Sequence, residues 1–535
     1  MSAEVGPGRT VPGTPPGPTG PQVRRHVVIV GAGMAAARLA EELRAGEPDP
    51  TRLSITVLGA EAEEPYNRIM LSHAAAASGA AGASGAAAAS AASGAAGASG
   101  AAGASGAAGG ATPVARLKPA GWWERHHIAL HTSTHVTAID RVTCEVELAG
   151  GARTGYDHLV LATGAAPRIP PVDGIRSSDG GLAPGVFTLR DAAGQRKLTA
   201  HLAAHPGPVA IVGAGFIGLE VACALAAAGH DVVVVHPRAW PMNGCLDAGA
   251  GAVLVRALAA LGVRTVTGAR ATSWDGSTLR LDDGEVHCRT VVLTAGSAPR
   301  TDLARDAGLE VGHGVVVDDE LATSDPAISA IGDCAQHRGV VSGLVAPAWD
   351  QAVVLAARLA GTDPHARYVG GTQVTRLKAH GLDVVALGEL AEDVYGSAGG
   401  DDEPTEVTTL SEPARGRYAR VDVVAGRVVG AALIGHPEPV GTLTQLYENA
   451  LPVPDDVVSV ILGRAEAVAA QTPSTMPAAA VVCRCNGVSK GDLVAAWTDG
   501  ARDRDALAES TRAGTGCGGC SAAVEGICGW LAAAG

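Results

Sequence analysis

Four cysteines set the chemistry at one end of this 535-residue chain: Cys483-Arg-Cys485 and Cys517-Gly-Gly-Cys520 form two close thiol pairs. Each pair converges on a single metal, and four thiolates suit either a tetrahedral zinc or a [2Fe–2S] cluster. Cys528 falls outside this spacing and reads as a small buried thiol. The remaining five cysteines are Cys144, Cys223, Cys245, Cys288 and Cys334, all far apart in sequence, so no close pair stands ready to act as a redox disulfide.

A second chemistry is written twice. Gly31-Ala-Gly33-Met-Ala-Ala36 comes directly after the apolar run "HVVIV" and opens a helix-period segment. In that context a glycine turn brings backbone N–H groups to a pyrophosphate at a helix N-terminus. Ala36 stands where a third glycine is usual, and Glu61, after the strand "LSITVL", is the candidate for ribose hydroxyls, with Glu63 and Glu64 as competitors. The second copy, Gly213-Ala-Gly215-Phe-Ile-Gly218, is complete and continues to Glu220. Its next strand ends in His236-Pro237-Arg238, with no acid, so either Arg238 receives a 2′-phosphate or the ribose is read less tightly. The ligand expected there is NAD(P)H.

These motifs need several domains to carry them, and 53.1 kDa supplies the length. With 40 Lys+Arg against 54 Asp+Glu the net charge is −14, which argues against nucleic acid or anionic membrane as partner. No stretch reads as membrane-spanning, the cysteine usage indicates a cytoplasmic protein, and an oligomer stays open. Residues 1–22 read as a disordered arm, and 74–111, almost only Ala, Gly and Ser, as a flexible insertion. The expected organisation is a first nucleotide domain over 23–206, resumed over 293–366, with a second over 207–292 nested inside it. After these come a mostly β domain over 367–465, a linker over 466–479 and a small α-helical metal module over 480–535. The stretch "RLKPAGWWERHHIALH" is expected to be an amphipathic helix leading to strands, with Trp122-Trp123 as a packing pair.

The C-terminal run "CRCNGVSKGDLVAAW…TRAGTGCGGC" resembles ferredoxins of the bacterioferritin-associated type, which implies that all four cysteines hold [2Fe–2S]. The preceding stretches "VVIVGAGMAA", "EEPYNRIMLS", "YDHLVLATGAAPR", "GAGFIGLE", "AIGDCA" and "GLVAPAWDQA" resemble the flavoprotein half of bacterial NAD(P)H nitrite reductase large subunits and the electron-transfer subunit of assimilatory nitrate reductase. That resemblance implies an α/β fold of two nested Rossmann-like FAD and NAD(P) domains, like pyridine nucleotide-disulfide reductases. It implies that Gly31, Gly33, Glu61 and Arg68 hold the FAD adenosine and pyrophosphate, that Thr163 and Gly164 line its approach, and that Asp333, after Gly332, bonds the ribityl chain. It further implies nicotinamide nucleotide at Gly213, Gly215, Gly218 and Glu220, and Pro347 and Trp349 beside the isoalloxazine, with ordinary core packing as the other reading of Trp349.

The function expected is electron splitting: a hydride from NAD(P)H passes to FAD and leaves as single electrons through [2Fe–2S] to a separate acceptor. No side-chain acid or base is required for hydride transfer, so no catalytic residue is named. Relatives of the nitrite type continue into a sirohaem domain, whereas this sequence stops at Gly535. The expected acceptor is therefore a separate nitrate reductase catalytic subunit or a sirohaem nitrite reductase. The alternatives are a general ferredoxin- or rubredoxin-type reductase unrelated to nitrogen and a zinc-bearing docking flavoprotein.

Overall fold

The computed structural model describes residues 24–74, 115–379, 381–391, 405–464, 473–483, 486–514 and 520–534. The arm, nearly all of the Ala/Gly/Ser insertion, the first half of the linker, Cys485 and Cys517 lie outside the described residues.

Arg25–Val30 is a central parallel strand because its Val and Ile side chains fill both faces of a covered sheet. It pairs with Leu53–Leu58 on one side and His158–Leu161 on the other, placing Val27 against Ile55 and His158. Ile128–His131 and Ile328–Ala330 complete the five-stranded parallel sheet, so its last strand returns from beyond the second nucleotide unit.

The second parallel sheet centres on Val209–Val212, with Val232–His236 and Thr290–Leu293 beside it and Val263–Thr267 and Val186–Thr188 at the edges. Val186–Thr188 lies before residue 207, in the segment expected to belong with the first domain, yet it hydrogen-bonds to Thr290–Leu293. A three-residue strand has no periodicity by which sequence could assign its partner.

The stretch from Arg116 is helical only over Trp122–Arg125 and becomes a strand at Ile128. Left-handed backbone at Gly121 (φ 70°) and His127 (φ 52°) bounds that single turn. Trp122 and Trp123 meet edge to face at 5.1 Å, as a packing pair does.

The third unit is a five-stranded antiparallel sheet in the order Val374–Ala379, Leu382–Gly388, Arg427–Ile434, Arg417–Val424, Glu406–Glu412. It is tied to the second through Asp247, which accepts from Tyr418 at 2.6 Å and from Arg420 at 2.9 Å. Arg420 also grips the fully buried Asp422 through two 2.8 Å bonds, so removing either partner strands a buried charge at a cost of about 3–5 kcal/mol.

The C-terminal module opens with a short hairpin, Val481–Cys483 with Val488–Ser489, ahead of helices Lys490–Thr498, Arg504–Thr511 and Ser521–Ala534. Ser489 and Asp492 form a reciprocal cap on the first helix. Cys483, Val488, Leu493, Leu507, Cys520 and Val524 share one apolar cluster, and Ile69 of the first domain packs against it. Among the described residues no helix is long and apolar enough to cross a membrane.

Candidate functional site

At the first turn, Gly31 adopts φ +108°, and a Cβ there would lie 2.2 Å from the Ala162 carbonyl oxygen. Only glycine permits this approach between strand and turn. Gly33 then caps helix Met34–Gly46 without a side chain of its own, leaving the helix N-terminus to an anion.

Around this turn a chain of polar contacts crosses the domain. Glu61 accepts from the Tyr66 hydroxyl at 2.7 Å and pairs with the Arg68 guanidinium. Burial, followed by the donation to Glu61 and against the opposing pull of Arg68, holds the Tyr66 phenol above its ordinary range, so it stays a donor. Arg68 also donates to the Arg190 carbonyl at 3.0 Å, and Arg190 in turn pairs with Asp333. Thr163 donates to the Arg300 carbonyl at 3.1 Å while the Arg300 N–H donates to the Gly164 carbonyl at 2.9 Å.

At the second turn, Gly213 adopts φ +119°, and a Cβ would lie 2.5 Å from the Thr294 carbonyl oxygen. A Cβ on Gly218 would meet the Gly213 carbonyl oxygen at 2.1 Å, so this glycine serves close packing of helix on strand. Glu220 is 9% exposed and accepts from the Ser72 hydroxyl at 2.8 Å across the boundary between the two sheets. His236 stands at the position where an acid is usual. Its Nδ1 accepts from the Ala214 N–H at 3.3 Å and its Nε2 lies 3.0 Å from the Asn243 side-chain amide oxygen (Oδ1), an arrangement assigning the neutral Nε2–H tautomer. Burial, with Arg238 adding to it against the Asn243 bond, lowers the His236 pKa from its ordinary value. Two backbone bonds, Gly268 N–H to the Arg238 carbonyl (2.8 Å) and Ala269 N–H to that of His236 (3.2 Å), fasten the neighbouring loop here.

One cavity of about 1470 Å³ joins these parts. That exceeds the roughly 300–1,000 Å³ of a site for one small molecule. Gly31, Gly33, Glu61, Arg68, Thr163, Gly164, Gly332 and Asp333 line one stretch, and Gly213, Gly215 and Glu220 another. Val482 and Cys520 of the C-terminal module line it as well.

Other expected residues sit off this wall. Ala36 is fully buried in its helix, and Gly218 packs as described. Arg238 is exposed away from the wall, whereas Arg270, on the fastened loop, lines it. Of helix Val345–Ala360, the wall takes Val345, Ala346 and Ala348 rather than Pro347 or Trp349. Glu63 lines the cavity and pairs with Arg196 at 2.6 Å, while Glu64 faces Arg116 at 3.7 Å. Cys483 is fully buried and Cys520 is 7% exposed, in the one cluster; their expected co-ligands Cys485 and Cys517 lie outside the described residues.

Ser72, Arg190 and Arg270 were missed by sequence reasoning. Ser72 and Arg190 bond to residues far away in sequence, and Arg270 reaches the wall only because its loop is fastened to the next strand's end, so no local motif marks any of them. The residues present fit the groups that the sequence implies: two glycine cradles that a Cβ would fill, two uncapped helix N-termini, and buried thiols as donors to a metal cluster.

Residues 25–352 match the family model described as pyridine nucleotide-disulphide oxidoreductase, and residues 481–529 match the BFD-like [2Fe-2S] binding domain. The chain is 29% identical over 513 residues to a nitrite reductase [NAD(P)H] of Bacillus subtilis (strain 168), covering 94% of this chain and 57% of the relative. It is 28% identical over 512 residues to the assimilatory nitrate reductase electron transfer subunit of the same organism, covering 94% and 59%. A ferredoxin reductase for the CYP199A2 system from Rhodopseudomonas palustris superposes with a TM-score of 0.62 at 26% identity, covering 80% of this chain and 98% of that one. The chain thus spans less than two thirds of the length of the two Bacillus relatives.

Proposed function

Because the chain belongs to the pyridine nucleotide-disulphide oxidoreductase family and carries a BFD-like [2Fe-2S] binding domain, we propose that it takes electrons from NAD(P)H through FAD and [2Fe–2S] to a separate acceptor in the cytoplasm. The acceptor in this reading is an assimilatory nitrate reductase catalytic subunit or a sirohaem nitrite reductase. Similarity over 94% of the chain to both the nitrite reductase and the nitrate reductase electron transfer subunit supports it. When bound, FAD accepts an electron pair as hydride and a [2Fe–2S] cluster carries electrons singly.

The chain's own residues bind and orient. The N-termini of Met34–Gly46 and Phe216–Ala227 would each hold a pyrophosphate, where the helix dipole and N–H groups favour negative charge. Glu61 holds adenosine ribose hydroxyls, Arg68 the adjoining pyrophosphate, and Asp333 the ribityl chain. Glu220, aimed by Ser72, orients the nicotinamide carboxamide. Cys483 and Cys520, with Cys485 and Cys517, hold the cluster.

The single observation carrying this reading is the continuity of one cavity from both glycine turns to Cys520. Anaerobic assays with NADH or NADPH and each of the two acceptors test it. Reduction of either acceptor is the expected result, and reduction of ferredoxin or rubredoxin but of neither nitrogen enzyme replaces it with a general reductase.

A further inference from the structure

Among the described residues the C-terminal module meets the first domain at Ile69 and at Gly487. On one side Ile69 packs into the module's apolar cluster. On the other, Gly487, two residues after Cys485, sits against Trp349 and Arg38. A Cβ on Gly487 would fall 2.9 Å from the Arg38 guanidinium and 3.0 Å from the Trp349 ring.

Each member of this contact is held from its own side. Trp349 is 8% exposed and adjoins Ala348, which lines the cavity. The Arg38 guanidinium stands 5.9 Å from the indole centroid, within cation–π range, and is fixed by Glu41 at 3.5 Å and Glu42 at 2.5 Å. Gly487 has φ +63°, a left-handed conformation directly before the hairpin's second strand, and with no side chain it lets bare backbone rest on the ring. The helix that supplies the cavity wall is thus the helix on which Gly487 of the module rests.

We propose that Trp349, Arg38 and Gly487 form a seat that positions the C-terminal module against the flavin domain, and that this seat sets the rate at which electrons cross from one to the other. The occupant is the chain's own module, and the three are positioning residues. The inference rests on the electron order proposed above. Each hydride brings two electrons and one proton, and a second proton from solvent completes two-electron reduction of the flavin. The electrons then leave one at a time across this junction to the cluster and on to a one-electron acceptor, and both protons return to solvent. Displacing a donor and acceptor by about an ångström is enough to slow a positioned reaction strongly.

Gly487→Ala puts a methyl group into the seat. In holoprotein with NADPH and ferricyanide as terminal acceptor, stopped-flow absorbance should show flavin reduction at its original rate and cluster reduction slowed by about tenfold or more. Adding Trp349→Phe, whose smaller ring vacates the space, should restore most of the loss. Trypsin should release the module faster from Gly487→Ala than from the parent or the double variant, a readout independent of turnover. If Gly487→Ala loses iron, Arg38→Ala replaces it, with slower cluster reduction and faster release expected at full iron content. Unchanged cluster reduction and unchanged release in an iron-replete variant overturn the seat. A parent protein without iron and labile sulfide overturns the electron order itself.

Discussion

The two glycine turns share one backbone solution and differ in the side chains at the end of the next strand. Gly31 and Gly213 have φ +108° and +119°, and each lies where a Cβ would collide with a carbonyl oxygen of a neighbouring crossover, Ala162 or Thr294. Beyond the turn, the first unit offers Glu61, gripped by Tyr66 and Arg68, and the second offers His236, neutral and bonded to the turn itself through Ala214. The first is enclosed by ion pairs from three distant segments, as suits a cofactor that stays. The second opens onto the exposed Arg270, as suits a nucleotide that exchanges. In the function proposed here the shared turn would take pyrophosphate and the surrounding side chains would choose the nucleotide.

The comparison breaks most sharply at the glycines. Gly31→Val should yield protein with less than about a tenth of the parent's FAD, measured by flavin absorbance after purification, because the collision is with backbone that cannot move aside. Gly213→Val should keep FAD yet lower kcat/KM for NAD(P)H by roughly a hundredfold, a loss of about 2.7 kcal/mol. If both variants lose FAD equally, the two turns do not serve separate ligands. A smaller effect is expected from His236→Glu, which restores an acid: the NADH-to-NADPH ratio of kcat/KM should rise by about tenfold or more, since a carboxylate bonds the ribose hydroxyls and repels a 2′-phosphate. Arg270→Ala should weaken NADPH alone by about tenfold, the worth of a charge-assisted bond at 1.5–3 kcal/mol reduced by exposure, with NADH within about twofold.

The smallest effect concerns pH. Because burial lowers the His236 pKa, folding favours its neutral form. That contribution is fully present above the ordinary histidine value and is lost as pH falls through the lowered one. Between about pH 7 and 5, kcat/KM should fall by a few fold, and His236→Gln should flatten the profile. An unchanged profile in that variant would remove His236 from any part in nucleotide binding.

Much of this architecture was legible because its signals are local. Strand, glycine turn and helix lie within one short stretch at both Gly31 and Gly213, and the cysteine pairs announce a metal by spacing alone. What escaped the sequence is what folding brings together from afar. Arg190 reaches Asp333, Ser72 reaches Glu220, and Val186–Thr188 joins a sheet whose core strands come later. Trp349 is one helical turn from Val345 and so on its side of the helix, but its ring packs toward Gly487 rather than forming part of the wall, a contact that comes from a segment far away in sequence. The expected helix from Arg116 failed because left-handed residues on either side of Trp122–Arg125 confined it, and only Gly121 was a visible warning.

An anaerobic titration of the purified protein with NADPH, monitored through the visible spectrum with iron and labile sulfide measured on the same sample, tests the central claim most directly. The electron order proposed here predicts that flavin absorbance bleaches and that a [2Fe–2S] signal, supported by about two irons per chain, bleaches with it. Flavin that bleaches in a protein carrying zinc, or beside a cluster that stays oxidised at full iron content, would contradict it.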